Sequence, residues 1–508
     1  MFEGQPKGLY ALALANTGER FGYYTMLAVF ALFLRANYGL SPAMAGTIYS
    51  AFLMLVYFLP LFGGMLADKF GFGRMVTTGI MIMFAGYVLL SVPLGGDSFA
   101  LIVMLAALLL IGFGTGLFKG NLQVMVGDLY NDPQYKDKRD AGFSIFYMAI
   151  NIGALFAPTA AIKIKEYAEV SLGYSSNDAY HFSFAVACAS LILSIAIYYI
   201  FRSTFRHTEG GTKKNAAVSA TEAGPELSKE ETKQRVIALC LVFAVVIFFW
   251  MAFNQSGLTL TFFADEFSAK SASGIQAMAF DVWNLVVCVV MVYALFAAFQ
   301  SKVARNRGIA WGVIAAGVVF LVWRYFTTSE VQLAAPIYQM FNPCFVVALT
   351  PVSIAIFGWL AARGKEPSAP RKIAYGMMVA AVAYAIMALA SVGLLTPNEQ
   401  AAAVKAGASG PLASPNWLIS TYLVLTFGEL LLSPMGLSFV TKVAPPKLKG
   451  LMMGGWFAAT ALGNFLVQVG GHLWGDLPLW QVWAVFVVLC LISAAIMMAM
   501  MRRLEKVC

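Results

Sequence analysis

Apolar runs about as long as a bilayer's hydrocarbon core is thick recur along nearly all of this chain, and that fact constrains its fold more than any other. A helix needs about 20 apolar residues to cross a core about 30 Å thick. Runs of that kind fall at 10–34, 42–67, 75–94, 100–129, 141–162 and 179–201. They resume at 236–264, 275–300, 309–326, 335–362, 373–395, 417–443, 451–472 and 479–501. Six runs, a polar interval and eight more predict an all-α integral membrane protein with 14 spans. Composition agrees: 60% of the residues are hydrophobic and 12% charged, against roughly 25% charged in a soluble domain. A water-soluble fold has no interior large enough to hide that much apolar surface.

The net charge of +9 raises nucleic acid or an acidic surface as a partner, and the positions of the bases answer it. Lys and Arg favour cytoplasmic loops. If the N-terminus is cytoplasmic, 26 of the 34 bases fall on the cytoplasmic side, six fall outside, and Arg20 and Lys119 remain in the membrane. The charge therefore sets topology and gives no reason to expect nucleic acid. The pattern predicts an even number of spans, both termini cytoplasmic and residence in the cytoplasmic membrane. No signal-peptide pattern precedes the first run, so that helix is expected to stay in the mature protein. Cys188, Cys240, Cys288, Cys344, Cys490 and Cys508 are scattered without disulfide or metal spacing.

The interval from Arg202 to Arg235 has Gly210-Gly211, mixed charge and few large apolar residues, as a solvated linker does. It divides the chain into 1–201, a cytoplasmic linker at 202–235, and 236–508. Ser228 followed by Glu231 reads as a capping box that opens a helix feeding the next span.

A charge at the centre of a membrane helix costs about 2.5 to 3.5 kcal/mol on insertion scales, so Glu19, Arg20, Lys119 and Glu429 each require a reason. The two bases lie in the first half and Glu429 in the second. A cavity between the halves would be dipolar, matched to a zwitterion with an amine at one end and a carboxylate at the other. Asn16, Glu19, Arg20, Tyr23 and Tyr24 recur at helical spacing and form one polar stripe expected to face that cavity. Gly112, Gly116 and Gly120 form a small-residue face for close helix packing beside Lys119. In GGMLADKFGFGR, Gly63, Gly64, Asp68, Gly71 and Arg74 are read as punctuating a tight turn, with Asp68 and Arg74 in a gating role. Asn151, Asn254, Gln255, Asn342 and Asn464 also lie in apolar runs. His181, His207 and His472 share no ligand spacing, and no nucleotide-binding or nucleophile motif appears. ATP-driven pumping, enzymatic activity and a metal site are not expected. No obligate protein partner is evident.

These residues carry a resemblance to the proton-dependent oligopeptide transporters of the major facilitator superfamily. GERFGYY at 18–24 resembles the end of that family's first-helix signature, and GGMLADKFGFGR its loop motif. GTGLFKGN at 114–121, FSIFYMAINIGAL at 143–155, FNPCF at 341–345 and GELLLSPMGLSFVTKVAP at 428–445 are similar to further signatures, in the family's order. The resemblance implies a major facilitator fold of two six-helix bundles, with an inserted helix pair at about 275–326 packing outside the core. It implies proton-coupled symport of di- and tripeptides by alternating access, with protons as the coupling ion and no other cofactor. It would place Glu429, Asn151 and Asn342 at the peptide amine, and Arg20 and Lys119 toward the carboxylate. Tyr23, Tyr24, Tyr57, Trp250 and Trp456 would line the side-chain pockets.

The chain departs from the family pattern in places. The first acid of the signature is Asn16, which cannot exchange a proton. A family arginine falls at Leu27 and an acidic pair at Phe253 and Asn254, so opposite charges are lost together. The proline after Lys119 is Gly120. Proton coupling then falls to Glu19, with Arg20 or Lys119 as its partner. A relative carrying a non-peptide anion or metabolite, and an uncoupled peptide facilitator, are the alternatives these departures leave.

Overall fold

The computed structural model describes residues 4–210, 228–408, 410–445 and 448–506. In the first half the helices are α1 (Lys7–Tyr38), α2 (Pro42–Phe58), α3 (Pro60–Phe70), α4 (Phe72–Ser91), α5 (Ser98–Asp128), α6 (Arg139–Val170) and α7 (Ser176–Ile200). In the second half α8 (Lys229–Phe253), α9 (Thr259–Glu266), α10 (Gly274–Ala279), α11 (Val282–Gln300) and α12 (Ala304–Thr327) come first. They are followed by α13 (Phe341–Ala362), α14 (Ala369–Ala390), α15 (Pro397–Lys405) and α16 (Pro415–Val443). The last are α17 (Lys449–Leu466), α18 (Gln468–Leu473), α19 (Leu479–Ala499) and α20 (Met501–Glu505). The only sheet among the described residues pairs Ser271–Ala272 with Val331–Gln332.

Among the described residues, twelve helical stretches are long and apolar enough to cross a membrane. Two further helices run among them. α1 has 32 residues, about 48 Å at 1.5 Å per residue, and packs along α6 and α7; α17 packs along α2 and α8. α17 has 18 residues and continues into α18; packed between spans, it and α1 bring the number to the fourteen expected. α1 falls short on composition because it carries Asn16, Glu19, Arg20, Tyr23 and Tyr24.

Several spans are bent where the chain dictates it. Pro60 begins α3 directly after α2, since proline suits the first helical turn and cannot continue the preceding ladder. α8 gives way to a 3-10 turn at Asn254–Gly257 before α9, and α17 to α18 at Val467. Ser228 caps α8 through the expected reciprocal bonds with Glu231. The helix therefore begins at Lys229 and its first turns continue directly into the span. At the other end of the interval, Phe205 is fully buried and the chain after α7 folds back on the bundle in short 3-10 turns. The remainder, 211–227, lies outside the described residues.

The first-half helices pack mainly on one another, as do α8, α13, α14, α16, α17 and α19. The halves meet along two seams: α2 against α17 and α18, and α6 against α13 and the turn before it. With the pair α11–α12 left out, these are the second and fifth spans of each half, a pseudo-twofold arrangement with a shared interface in the middle. α11 and α12 pack on each other and on the short α10 that precedes them, and α11 touches α6 and α13. The most apolar stretch of α12 is only 6% buried inside the protein, so the pair stands outside the core as expected.

The loop motif differs from its sequence reading. Gly63, Gly64 and Asp68 lie within α3, and the turn is Gly71 alone, at φ 95°. That φ is in the region that favours glycine. Gly63 instead serves packing: a Cβ there would lie 2.1 Å from the Gly116 carbonyl oxygen. Gly116 is therefore a close-approach point, as its spacing predicts.

Candidate substrate site between the bundles

The polar stripe of α1 is buried, with Asn16, Glu19, Arg20 and Tyr23 each under 5% exposed. Neighbouring residues on a helix point about 100° apart. Even so, the long Arg20 side chain folds back so that Nε and Nη2 both bond the Glu19 carboxylate, the latter at 2.5 Å. The guanidinium carbon also lies 4.7 Å from the centre of the Tyr23 ring. Tyr23 meets Tyr24 edge-on at 5.2 Å. Of the two bases expected beside Glu19, Arg20 is the partner. In this conformation its guanidinium is committed to Glu19.

Lys119 on α5 is left as the uncommitted cation. Its Nζ is 3.7 Å from the Tyr57 ring centroid, and no ion pair involving it occurs among the described residues. A cation over an aromatic face gains about 0.5 to 2 kcal/mol, below the insertion cost of a charge. Arg20 and Glu19 both lie within electrostatic reach of Lys119.

Across the interface, Glu429 on α16 is 8% exposed. Asn342 Nδ2 on α13 donates to its Oε2 at 3.0 Å and also reaches Thr426 Oγ1 at 3.0 Å. The Tyr147 side chain, on α6 of the other bundle, lies within interaction range of the same carboxylate. Asn151 donates to the Tyr147 carbonyl at 3.0 Å. Glu429 therefore has neutral neighbours and no cation paired to it among the described residues. The charges of Arg20 and Glu429 both reach the hydroxyls of Tyr24 and Tyr57. These two tyrosines thus lie between the charged groups of the two halves.

Asn151, Asn342 and Glu429 come together as expected, as do Glu19, Arg20, Tyr23, Tyr24, Tyr57 and Lys119. The tryptophans pack elsewhere, each on its own aromatic neighbours. Trp250 packs on Phe249 and Phe253, with its indole nitrogen buried and unpartnered. Trp456 packs on Phe243 and fills the space over Gly436. No hydrogen bond or ring contact among the described residues joins either to Glu429, Lys119 or Arg20. Asn254, where an acid was absent, bonds Asn464 Oδ1 at 2.6 Å instead.

Asp68 and Arg74 are exposed on either side of the Gly71 turn. Beside Arg74, the Gly73 N–H donates to the Glu209 carbonyl at 3.2 Å. The Glu209 carboxylate accepts from Arg202 at 2.7 and 2.8 Å and from the Tyr198 hydroxyl at 2.9 Å. Sequence reasoning missed Glu209, because it sits in what reads as linker. It also missed Tyr147, although a tyrosine one helical turn before Asn151 has the spacing that signals a shared face.

A further set of contacts joins the halves on the face carrying the α1–α2 turn. Arg35 at the end of α1 pairs with Glu266 at the end of α9, and Trp474 donates to the same carboxylate at 3.0 Å. Gln339 donates to the Ala28 carbonyl and Thr47 to Gln468, each at 3.1 Å. Among the described residues, the side-chain hydrogen bonds and ion pairs that join the halves lie at the Glu429 site or on this face.

The sequence matches the model of the POT family (PTR2) over residues 73–223 and 326–474. It is 29% identical over 498 residues to the uncharacterized transporter YclF of Bacillus subtilis, covering 92% of this chain and 88% of that protein. It is also 29% identical over 487 residues to the di-/tripeptide transporter of Lactococcus lactis, covering 90% and 87%. The fold is shared with a solved peptide transporter POT in complex with sulfate, at a TM-score of 0.72 and 25% identity, covering 100% of this chain and 96% of that one. With both halves matched and the fold shared over the whole chain, this protein belongs to the POT family.

Proposed function

We propose that this chain carries di- and tripeptides, together with protons, across the cytoplasmic membrane by alternating access. It would move its substrate without chemical change, using the proton as coupling ion. The observation that carries the reading is the division of buried charge. Glu19 and Arg20 satisfy each other, which leaves Glu429 beside a neutral donor in one half and Lys119 over Tyr57 in the other. A peptide zwitterion supplies the two charges these residues lack, its amine to Glu429 and its carboxylate to Lys119. The relatives named as di-/tripeptide transporters support the same substrate class.

The distribution of basic residues supports both termini being cytoplasmic. The α1–α2 turn then lies outside, and Arg35–Glu266, Thr47–Gln468 and Gln339–Ala28 close the outer side of the site. These contacts support a state closed to the outside in an alternating-access cycle, with the site between the halves.

Glu19 is the coupling group in this reading. Its carboxylate is buried against Arg20, so taking up a proton would release Arg20 to join Lys119 at a substrate carboxylate. Asn16 in place of an acid and the neutral Asn254–Asn464 pair favour a second reading, an uncoupled peptide facilitator. Uptake of a labelled dialanine into proteoliposomes, with and without an inward proton gradient, separates them. Accumulation above equilibrium that requires the gradient and is lost in Glu19→Gln is the expected result. Equilibration alone selects the facilitator, and no peptide uptake overturns both.

A further inference from the structure

The helix pair α11–α12 takes no part in the site, and its charges are arranged asymmetrically. Between Asp281 and Glu330 the chain contains no acid. At the end near Asp281, Arg324 is neutralised by Asp281 and bonds Asn284 at 3.4 Å. At the other end, the turn joining the helices carries Lys302, Arg305 and Arg307. All three are exposed, and none of their side chains has an ion-pair or hydrogen-bond partner among the described residues.

Helix stability does not explain these bases. Arg305 and Arg307 occupy the first turn of α12, where the helix dipole is unfavourable to positive charge. The N-cap Val303 offers no side-chain bond to offset it. Depth offers an explanation. α11 has 19 residues, about 28 Å long, close to the thickness of the hydrocarbon core. With the Arg324–Asp281 pair at one interface, the basic turn falls at the other. Phe299 and Trp311 flank it, 75% and 49% exposed and edge-on at 5.9 Å, as aromatic residues do at headgroup level. α12 is the least buried span, so lipid has free access to this corner.

We infer that the α11–α12 turn is a docking site for anionic phospholipid headgroups, with Lys302, Arg305 and Arg307 holding the phosphate and Phe299 and Trp311 seated at the acyl boundary. The leaflet is cytoplasmic in the orientation proposed above; the lipid contact itself does not depend on transport. Anionic headgroups supply the negative charge that both the bases and the α12 dipole lack.

The full chain, purified in detergent, tests this by native mass spectrometry and thermal melting with phosphatidylglycerol or phosphatidylcholine. Wild type is expected to retain phosphatidylglycerol and to gain Tm with it but not with phosphatidylcholine. Each base replaced by Gln should weaken phosphatidylglycerol binding about fivefold, and Lys302→Gln/Arg305→Gln/Arg307→Gln should lose at least one retained lipid. Lys302→Arg/Arg305→Lys/Arg307→Lys should keep it. If the triple variant does not fold, Arg305→Gln and Arg307→Gln singly read the same fivefold step. Equal phosphatidylglycerol retention by variant and wild type, an equal response to both lipids, or full replacement of the effect by free glycerol phosphate would overturn the inference. Because the readout is bound lipid, a failure of peptide transport leaves this result unaffected.

Discussion

Lys119 and Tyr57 lie face to face, with the ammonium 3.7 Å from the ring centroid. The charge of Glu429 reaches the hydroxyl of the same tyrosine. Tyr57 therefore lies between a cation of one bundle and an anion of the other. Both seams between the halves run through helices that bear or neighbour this group.

Lys119→Gln is expected to weaken binding of a zwitterionic dipeptide by at least about tenfold, the scale of one charge-assisted hydrogen bond at 1.5 to 3 kcal/mol. A C-terminally amidated dipeptide should bind wild type and variant alike. Competition against a labelled peptide measures both. Equal losses for the two ligands would place Lys119 in a structural role.

Glu429→Gln should show the complementary selectivity, losing affinity for peptides with a free amine and not for N-acetylated ones. Tyr147→Phe removes the hydroxyl of a side chain within range of Glu429 and leaves Asn342 in place at 3.0 Å. A loss of about 1 kcal/mol, roughly fivefold in Kd, is expected. Isothermal titration with dialanine checks it, and an unchanged Kd would mean that the hydroxyl does not orient the carboxylate.

Removing Glu19 strands the Arg20 guanidinium, 3% exposed, without its carboxylate. Breaking a buried pair from one side costs about 3 to 5 kcal/mol, so Glu19→Gln should lower Tm. Glu19→Gln/Arg20→Gln, which removes both charges, should recover most of the loss. A double-mutant cycle by thermal melting decides whether the pair acts as a unit.

Arg35→Ala and Glu266→Ala remove the ion pair that joins α1 to α9. Either should shift the population toward the state open on that face. Spin labels at exposed positions near the ends of α1 and α9 should report a longer distance in the variants. Unchanged distances would mean that the packing of Gly46 on Gly471, whose Cα atom lies 3.3 Å from a built Cβ, suffices by itself.

At the C-terminal end, the Ser368 hydroxyl and Arg371 hold the Glu505 carboxyl below the usual range. A depressed folded value means that this contribution is present above the ordinary carboxylate pKa, about 4.3. It is lost as pH falls through the folded value. For so exposed a pair the effect is under about 1 kcal/mol. The Tm difference between wild type and Glu505→Gln should be small at pH 7 and vanish in acid, as a melting series against pH would show.

The sequence by itself determined the number of spans, the division into halves and the residues that had to be explained. All of these follow from local periodicity and from the cost of a charge in hydrocarbon. It also marked the α8 start, because Ser228 and Glu231 are three residues apart and close their own capping box. It could not decide which base takes Glu19. Arg20 and Lys119 are both within reach in principle, and only the packing of α1 against its neighbours commits Arg20 and leaves Lys119 over Tyr57. Nor could it join Tyr147 to Glu429 or Arg35 to Glu266, pairs separated by more than two hundred residues and brought together only where the bundles meet. Glu209 passed for linker because its role depends on the fold of α4 and α7 around it. Local chemistry is written along the chain, whereas the choice among equally charged partners is a matter of distance, and distance exists only in the folded bundle.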